Sequence, residues 1–150
     1  MRITLKLLAI LVVGSLAASA QAKSLFNPAQ LEQFEKTNQC SGCDLSYARF
    51  SDGNHSGAVL NDANLSNTAI KGSPGSMNFS AANLRNANLS GSYLDFSNFS
   101  NADLTGAHFD GADISYANFS GAIGADLKNA INTCSVILPN GKTTKSCSDK

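Results

Sequence analysis

The sequence predicts an all-β solenoid, a coil of about four laps in which short extended segments stack on one another. Three observations predict this fold. Large apolar residues recur at every fifth position over residues 82–121. A small residue stands two positions before each of them, and turn-forming residues usually follow. An interval of five matches neither the 3.6-residue period of a helix nor the 2-residue period of a strand.

Each unit of five residues has a large apolar centre. The centres are Leu84, Leu89, Leu94, Phe99, Leu104, Phe109, Ile114 and Phe119. In an extended segment, residues two apart point to the same side, so the small residue and the centre both face inward. The two residues after the centre turn the chain, and Gly and Asn accept the positive φ that tight turns need. If each corner turns about a right angle, four units close one lap, and laps stack roughly 4.8 Å apart.

The units "ANLRN", "ANLSG", "ADLTG" and "ADISY" resemble the motif of the pentapeptide-repeat family, roughly Ala-(Asp/Asn)-Leu-x-x. The resemblance covers about Cys43 to Gly121. It implies a right-handed, quadrilateral β-helix. The family's best-described activity is DNA mimicry that inhibits type II topoisomerases. That activity needs a long, strongly acidic, cytoplasmic rod, whereas this chain is short and nearly neutral, so a DNA-mimic topoisomerase inhibitor is the least favoured alternative.

The same interval runs earlier in another phase, and Phe79 lies nine positions after Ile70. We favour a four-residue insertion within "KGSPGS" at a corner, and the alternative is a unit that lacks one residue. An insertion predicts four files of stacked centres, which are His55, Phe79, Phe99 and Phe119; Leu45, Leu65, Leu89 and Phe109; Phe50, Ile70, Leu94 and Ile114; and Leu60, Leu84 and Leu104.

The organisation that we expect is a signal peptide over 1–22, an N-terminal cap over 23–42, the β-helix over 43–127 and a C-terminal cap or tail over 128–150. In the first cap, Asn27 and Pro28 are suited to begin a helix whose Leu31 and Phe34 face the core. At the other end, Asn140-Gly141 predicts a short hairpin or loop.

Residues 1–22 have the basic start, apolar run and small residues of a secretory signal, with the mature chain beginning at Gln21 or Lys23. A membrane anchor is the alternative. Removing Arg2 and Lys6 leaves 9 basic against 11 acidic residues, a charge of about −2. We therefore expect an exported protein that has no nucleic-acid partner. After cleavage of the signal, we expect no membrane partner either. The compartment is the periplasm, the extracellular space or, in a cyanobacterium, the thylakoid lumen.

Export makes the four cysteines disulfide candidates. A disulfide needs Cα atoms within about 7 Å, and nearly four laps separate the two ends by roughly 15–20 Å. We therefore predict Cys40–Cys43 and Cys134–Cys147. The Cys40/Cys43 pair also leaves open an extracytoplasmic thiol-disulfide function.

The sequence predicts no catalytic, cofactor-binding or metal-binding residues. His55 occupies a centre and is interpreted as a core histidine, and His108 should face solvent. Four residues form the candidate protein-contact patch, namely Tyr93, Phe96, Tyr116 and Lys71, because two aromatics there replace the usual Gly or Asn of a corner. These observations predict a non-enzymatic scaffold or protein-interaction module, with partner and oligomeric state unassigned.

Overall fold

The computed structural model describes residues 26–50, 55–72 and 75–147 of the chain. The chain forms a helix α1 (Pro28–Thr37), strands β1 (Arg49–Phe50) and β2 (Ala69–Ile70), which pair in parallel, and a series of isolated parallel bridges. The signal peptide predicted for residues 1–22 lies outside the described residues. Within the described ranges, no helix has the length and apolar character needed to cross a membrane.

Helix α1 covers the first end of the coil. Asn27 caps it, since its side-chain Oδ1 accepts hydrogen bonds from the amides of Ala29 at 3.1 Å and Gln30 at 3.4 Å. Phe34 is fully buried, with its ring centroid 5.1 Å from that of Phe50 and 4.7 Å from that of His55. The helix thus shields apolar surface and strand edges that an open coil would expose.

The rest of the described chain winds into a coil whose laps pair in parallel. From Asn78 onward, most bridges join residues 20 apart, as in Asn78↔Asn98 and Asn98↔Asn118. Where Asn or Asp precedes a centre, its side chain bonds to the following turn, as Asn98 Oδ1 accepts from the amide of Ser100 at 3.1 Å. A regular lap therefore contains the four five-residue units that the spacing predicts.

One lap is shorter by a residue, so the insertion that we favoured is wrong. Bridges across this lap join residues 19 apart, which are Val59↔Asn78, Asn64↔Asn83 and Ala69↔Asn88. Gly72 and Ser76, corner residues with positive φ, are only four positions apart, whereas the corners from Gly57 to Gly72 and from Ser76 to Gly121 are five apart. The chain between Gly72 and Ser76 is one residue shorter than a regular unit, and the described residues on either side stay paired with the neighbouring laps.

The shortened unit changes the partners in all four predicted files. His55 does not lie below Phe79, and the pairs Leu65–Leu89, Ile70–Leu94 and Leu60–Leu84 do not form. The register instead defines the files Leu60, Phe79, Phe99 and Phe119; Leu45, Leu65, Leu84 and Leu104; Phe50, Ile70, Leu89 and Phe109; and His55, Leu94 and Ile114.

The stacked rings that the spacing predicts are present. Centroids of Phe79 and Phe99, and of Phe99 and Phe119, lie 4.8 Å apart with nearly parallel planes. All three side chains are fully buried. Burying each such side chain contributes about 1.5–3 kcal/mol, so the files supply much of the stability.

The last lap is irregular and ends in a hairpin at the predicted place. Asp113 bridges Ile131 and Asn118 bridges Ile137, and both separations are shorter than a regular lap. Ile137 then pairs antiparallel with Thr143, and the amide of Leu138 donates to the carbonyl of Lys142 at 2.8 Å. Gly141, with φ of 79°, makes the turn.

Candidate functional site

Both ends of the coil carry a disulfide. Cys40 is bonded to Cys43 with Cα atoms 5.3 Å apart, and Cys134 to Cys147 with Cα atoms 4.9 Å apart. These are the pairs expected from the sequence. Cys40 and Cys43 are 1% and 5% exposed, so an attacking thiolate has little access to their sulfurs. That burial favours a structural role over thiol exchange.

The rings of Phe96 and Tyr116 stack at one corner of the coil. Their centroids are 4.6 Å apart and their planes differ by 2°, yet the residues are 58% and 45% exposed. The lap below places a small residue at this corner, since the amide of Ser76 donates to the carbonyl of Asp95 at 2.7 Å. The two rings therefore stand out from the corner.

Phe96 and Tyr116 have left-handed backbones, with φ of 58° and 59°. Gly or Asn occupies the same place in other units, including Gly91, Asn101 and Gly111. A left-handed conformation costs an L-residue with a side chain about 1–2 kcal/mol. Ring stacking offsets about 0.5–1.5 kcal/mol of this cost. Stability of the fold alone therefore does not explain two bulky aromatics here.

Tyr93 and Ile131 extend this apolar surface. Tyr93 is 56% exposed and bridges Asp113, which in turn bridges Ile131, 51% exposed. We call Tyr93, Phe96 and Tyr116 the aromatic edge, and Ile131 borders it. The spacing did not reveal Ile131 because the last lap departs from the five-residue interval.

Asp113 lies between Tyr93 and Ile131 with its carboxylate already occupied. Its Oδ1 accepts from the amide and hydroxyl of Ser115, and its Oδ2 accepts from Asn132 Nδ2 at 2.8 Å. Partial burial alone would raise the pKa of Asp113, but the hydrogen bonds from Asn132 and Ser115 outweigh it and the pKa is lowered. The Asp113 carboxylate is therefore engaged in hydrogen bonds within the fold. This arrangement favours a contact surface over a catalytic site.

Lys71 does not share a corner with the aromatic edge, contrary to the sequence interpretation. The amide of Ile70 donates to the carbonyl of Asn88, which aligns Lys71 with Ser90. That position is the corner before the segment of Tyr93. The end of "KGSPGS", Gly75-Ser76, lies below Phe96 instead, because the unit lacks one residue.

Tyr47 is another aromatic that the spacing did not single out. It has a φ of 63° and is 49% exposed, like the two stacked rings. Its amide pairs with the carbonyl of Ser66, which places it at a different corner. Among residues 26–50, 55–72 and 75–147 it stacks with no other ring. Tyr47 therefore provides a matched comparison for the aromatic edge.

The buried titratable side chain is His55. Its Nδ1 lies 2.8 Å from Asn38 Oδ1, and its ring stacks on Phe34. Burial lowers the pKa of His55 below 6.5, and the charge of Glu35 counteracts this in part. The described part of the chain contains no group of three or more His, Cys, Asp or Glu side chains placed to hold a metal ion.

Parallel coils of five-residue units define a repeat solenoid of the β-helix class. A family model described as pentapeptide repeats matches the sequence with eight copies over residues 39–73, 78–115 and 87–131, more than half of the chain. The protein belongs to the pentapeptide-repeat family, which implies that its β-helix is right-handed. Proteins of this family are in general structural or interaction modules.

Three solved structures of pentapeptide repeat proteins are similar to this chain. HetL, a pentapeptide repeat protein involved in heterocyst differentiation regulation in Nostoc sp. strain PCC 7120, is 25% identical with a TM-score of 0.52, over 70% of this chain and 51% of HetL. A thylakoid-lumen pentapeptide repeat protein of Arabidopsis thaliana is 19% identical with a TM-score of 0.34, over 75% of this chain and 82% of that one. QnrB1, a plasmid-mediated fluoroquinolone resistance protein, is 18% identical with a TM-score of 0.35, over 65% and 70%.

The chain spans about half the length of HetL. No curated protein matches the sequence significantly. The family membership therefore establishes the fold, and it leaves the role to be argued from the surface.

Proposed function

We propose that this protein is an exported, non-enzymatic scaffold or protein-interaction module that contacts a protein partner through its aromatic edge. One observation carries the proposal. Phe96 and Tyr116 stack in the open with left-handed backbones, where Gly or Asn would cost less. The coil has this left-handed φ at most of its corners, so the sign of function is that two stacked, exposed aromatics occupy such corners in place of Gly or Asn.

The chemistry of the edge supports a protein partner. Aromatic side chains are enriched among the residues that dominate protein interfaces, since they bury much area with little loss of conformational freedom. Tyr93, Phe96, Tyr116 and Ile131 are each about half exposed on neighbouring positions of the coil. A cluster of this kind is larger than the single apolar residues that ordinary surfaces expose.

Export is supported by the two disulfides and by the signal expected in residues 1–22. Disulfides persist in oxidising compartments and are rare in the cytosol. We propose a mature β-helix of about four coils located in the periplasm, outside the cell or, in a photosynthetic host, in the thylakoid lumen.

In-cell crosslinking followed by mass spectrometry tests the proposed contact. The double variant Phe96→Ser/Tyr116→Ser should lose neighbours that the wild-type protein captures. Tyr47→Ser, which removes an equally exposed aromatic from a different corner, should keep them. If the double variant captures the same neighbours as wild type, the aromatic edge is not the contact surface.

A further inference from the structure

The last lap skips one extended segment and leaves a gap above His108. In the regular laps, the residue just before a centre faces outward and makes two backbone hydrogen bonds to the lap below, one through its amide and one through its carbonyl. The amide of His108 donates to the carbonyl of Ala87, and the amide of Leu89 donates to the carbonyl of His108, both at 2.9 Å. Above His108, no residue of the described chain makes the corresponding bonds to the Ala107 carbonyl and the Phe109 amide.

The gap arises because the last lap is short. Ile123 and Ile131 bridge Asp103 and Asp113, which lie ten positions apart, with only eight positions of their own. Lys128, the residue one full lap after His108, turns its amide to Asp126 Oδ1 at 3.3 Å instead of pairing with Ala107. The chain passes this face without forming an extended segment.

The space that results is a cleft of about 210 Å³. Its lining includes Ala107, His108, Phe109, Asp110, Asp126 and Asn129. Ala107 and Phe109, whose carbonyl and amide have no backbone partner among the described residues, line this cleft and are only 6% and 2% exposed. A buried amide or carbonyl without a partner is costly and is therefore rare.

The polar lining is acidic. Asp110 Oδ1 accepts from Asn129 Nδ2 at 2.6 Å, which leaves its other carboxylate oxygen open to a ligand. Asp126 is ionised at neutral pH, since hydrogen bonds from Lys128 lower its pKa. The ion pair of Asp126 with Lys128 is exposed, 62% and 85%, so a ligand cation can compete for the carboxylate.

We propose that this cleft binds an extended peptide segment that carries a basic residue. The peptide takes the place of the missing segment. One of its amides donates a hydrogen bond to the Ala107 carbonyl, and one of its carbonyls accepts a hydrogen bond from the Phe109 amide. Its Lys or Arg side chain lies against Asp110 and Asp126. Addition of a strand to a free sheet edge is a known mode of peptide recognition, with main-chain bonds giving affinity and side chains giving selectivity.

This site is separate from the aromatic edge and does not depend on it. The gap offers two backbone hydrogen bonds, so we expect weak binding, with a Kd on the order of 1 mM for an isolated tripeptide. A longer partner segment that also contacts neighbouring surface would bind more tightly.

Titration of the ¹⁵N-labelled mature protein with acetyl-Val-Lys-Val-amide tests the proposal by NMR. The largest amide shift should occur at Phe109, with smaller shifts at Lys128 and Asn129. Acetyl-Val-Glu-Val-amide should bind more weakly, as should a peptide methylated on the lysine amide nitrogen. Shifts centred on Phe96 and Tyr116, or equal binding of all three peptides, would overturn the proposal.

Matched Asp→Asn variants test whether the charges of the cleft contribute to binding of the lysine peptide. Asp110→Asn and Asp126→Asn should each weaken binding of the lysine peptide by about 1.5- to 5-fold, as expected for loss of one exposed ion pair. Asp95→Asn, at the corner of Phe96, should leave the affinity unchanged. Equal losses in all three variants would contradict the proposed location.

Occupation by the chain itself is tested by hydrogen exchange. If the cleft is empty in the free protein, the Phe109 amide exchanges rapidly and is protected on addition of the peptide. If it is already protected, and removal of residues 148–150 abolishes that protection, the chain's own end fills the cleft and an external peptide is ruled out.

Discussion

At the scale of single residues, backbone conformation and side-chain type disagree at a few corners. Most corners of the coil use Gly, Asn, Asp or Ser in the left-handed region, and Phe96, Tyr116 and Tyr47 use aromatics. The sequence shows this exception at Phe96 and Tyr116, because the interval of five identifies the corner position, but the spacing did not single out Tyr47. The stacking of Phe96 on Tyr116 follows from the lap of four units that the same interval predicts.

Replacing Phe96 by Asn should leave the free energy of unfolding unchanged or raise it by up to about 1 kcal/mol. Asn accepts the left-handed conformation more readily, which relieves about 1–2 kcal/mol and exceeds or balances the lost stacking. Urea unfolding followed by circular dichroism measures this. A destabilisation of more than about 2 kcal/mol would mean that the ring supports the fold.

His55 links stability to pH in the range just below neutral, above the range in which carboxylates titrate. Its pKa is lowered on folding, mainly by burial, so the unfolded chain binds the proton more readily. The contribution of His55 to stability is therefore fully present above its unfolded pKa of about 6.5. It is lost as the pH falls below that value toward the folded pKa.

Unfolding measured between pH 7.5 and 5 should show this loss in the wild-type protein. His55→Leu, which places an ordinary centre residue under α1, should reduce the slope of stability against pH over that interval. An unchanged slope in His55→Leu would show that other groups cause the pH dependence.

At the scale of elements, the two ends of the coil are stabilised in different ways. Helix α1 packs Phe34 against Phe50 and His55, while the C-terminal end relies on the hairpin around Gly141 and the Cys134–Cys147 disulfide. Local signals in the sequence, Asn27-Pro28 and Asn140-Gly141, predicted both elements. The short last lap has no such signal, so neither the cleft above His108 nor Ile131 could be placed.

Removing the Cys134–Cys147 disulfide with Cys134→Ser/Cys147→Ser should destabilise the protein by about 3 kcal/mol, because the bond joins residues at a sequence separation of 13. The Cys40–Cys43 bond closes a much shorter loop, so Cys40→Ser/Cys43→Ser should cost about 2 kcal/mol in the same treatment. Thermal unfolding of the two variants gives the comparison. A larger loss at Cys40/Cys43 would indicate that packing of these buried sulfurs outweighs chain entropy.

At the scale of the whole molecule, stability depends on the files of centres inside the coil. Phe99 touches Phe79 below and Phe119 above, and its ring also meets the edge of Phe109. The lap of four units, the small inward Ala and Ser residues and the ring file were predictable, because each follows from the five-residue interval.

Phe99→Ala should cost about 3–5 kcal/mol, since it opens a cavity in the middle of the ring file. Phe96→Ala, which removes a ring of the same size from the surface, should cost far less. Chemical unfolding of both variants tests the contrast. Similar losses for the two variants would contradict the assignment of inner and outer faces.

The register across residues 71–75 could not be decided from the sequence. An interval of nine positions from Ile70 to Phe79 fits either a long corner or a short unit, and both use the same turn-forming residues. The decision depends on pairing between laps. A short unit keeps the hydrogen bond from the Ile70 amide to the Asn88 carbonyl at 2.9 Å, and this bond is not visible in a linear pattern.

The hydrogen bonds between laps can be observed directly by long-range HNCO spectroscopy, which detects scalar coupling across them. The structure predicts couplings from the nitrogen of Phe99 to the carbonyl carbon of Asn118, from Phe79 to Asn98, and from Ile70 to Asn88. Coupling of Ile70 to Tyr93, or no coupling between residues about one lap apart, would contradict the stacked coil and its register.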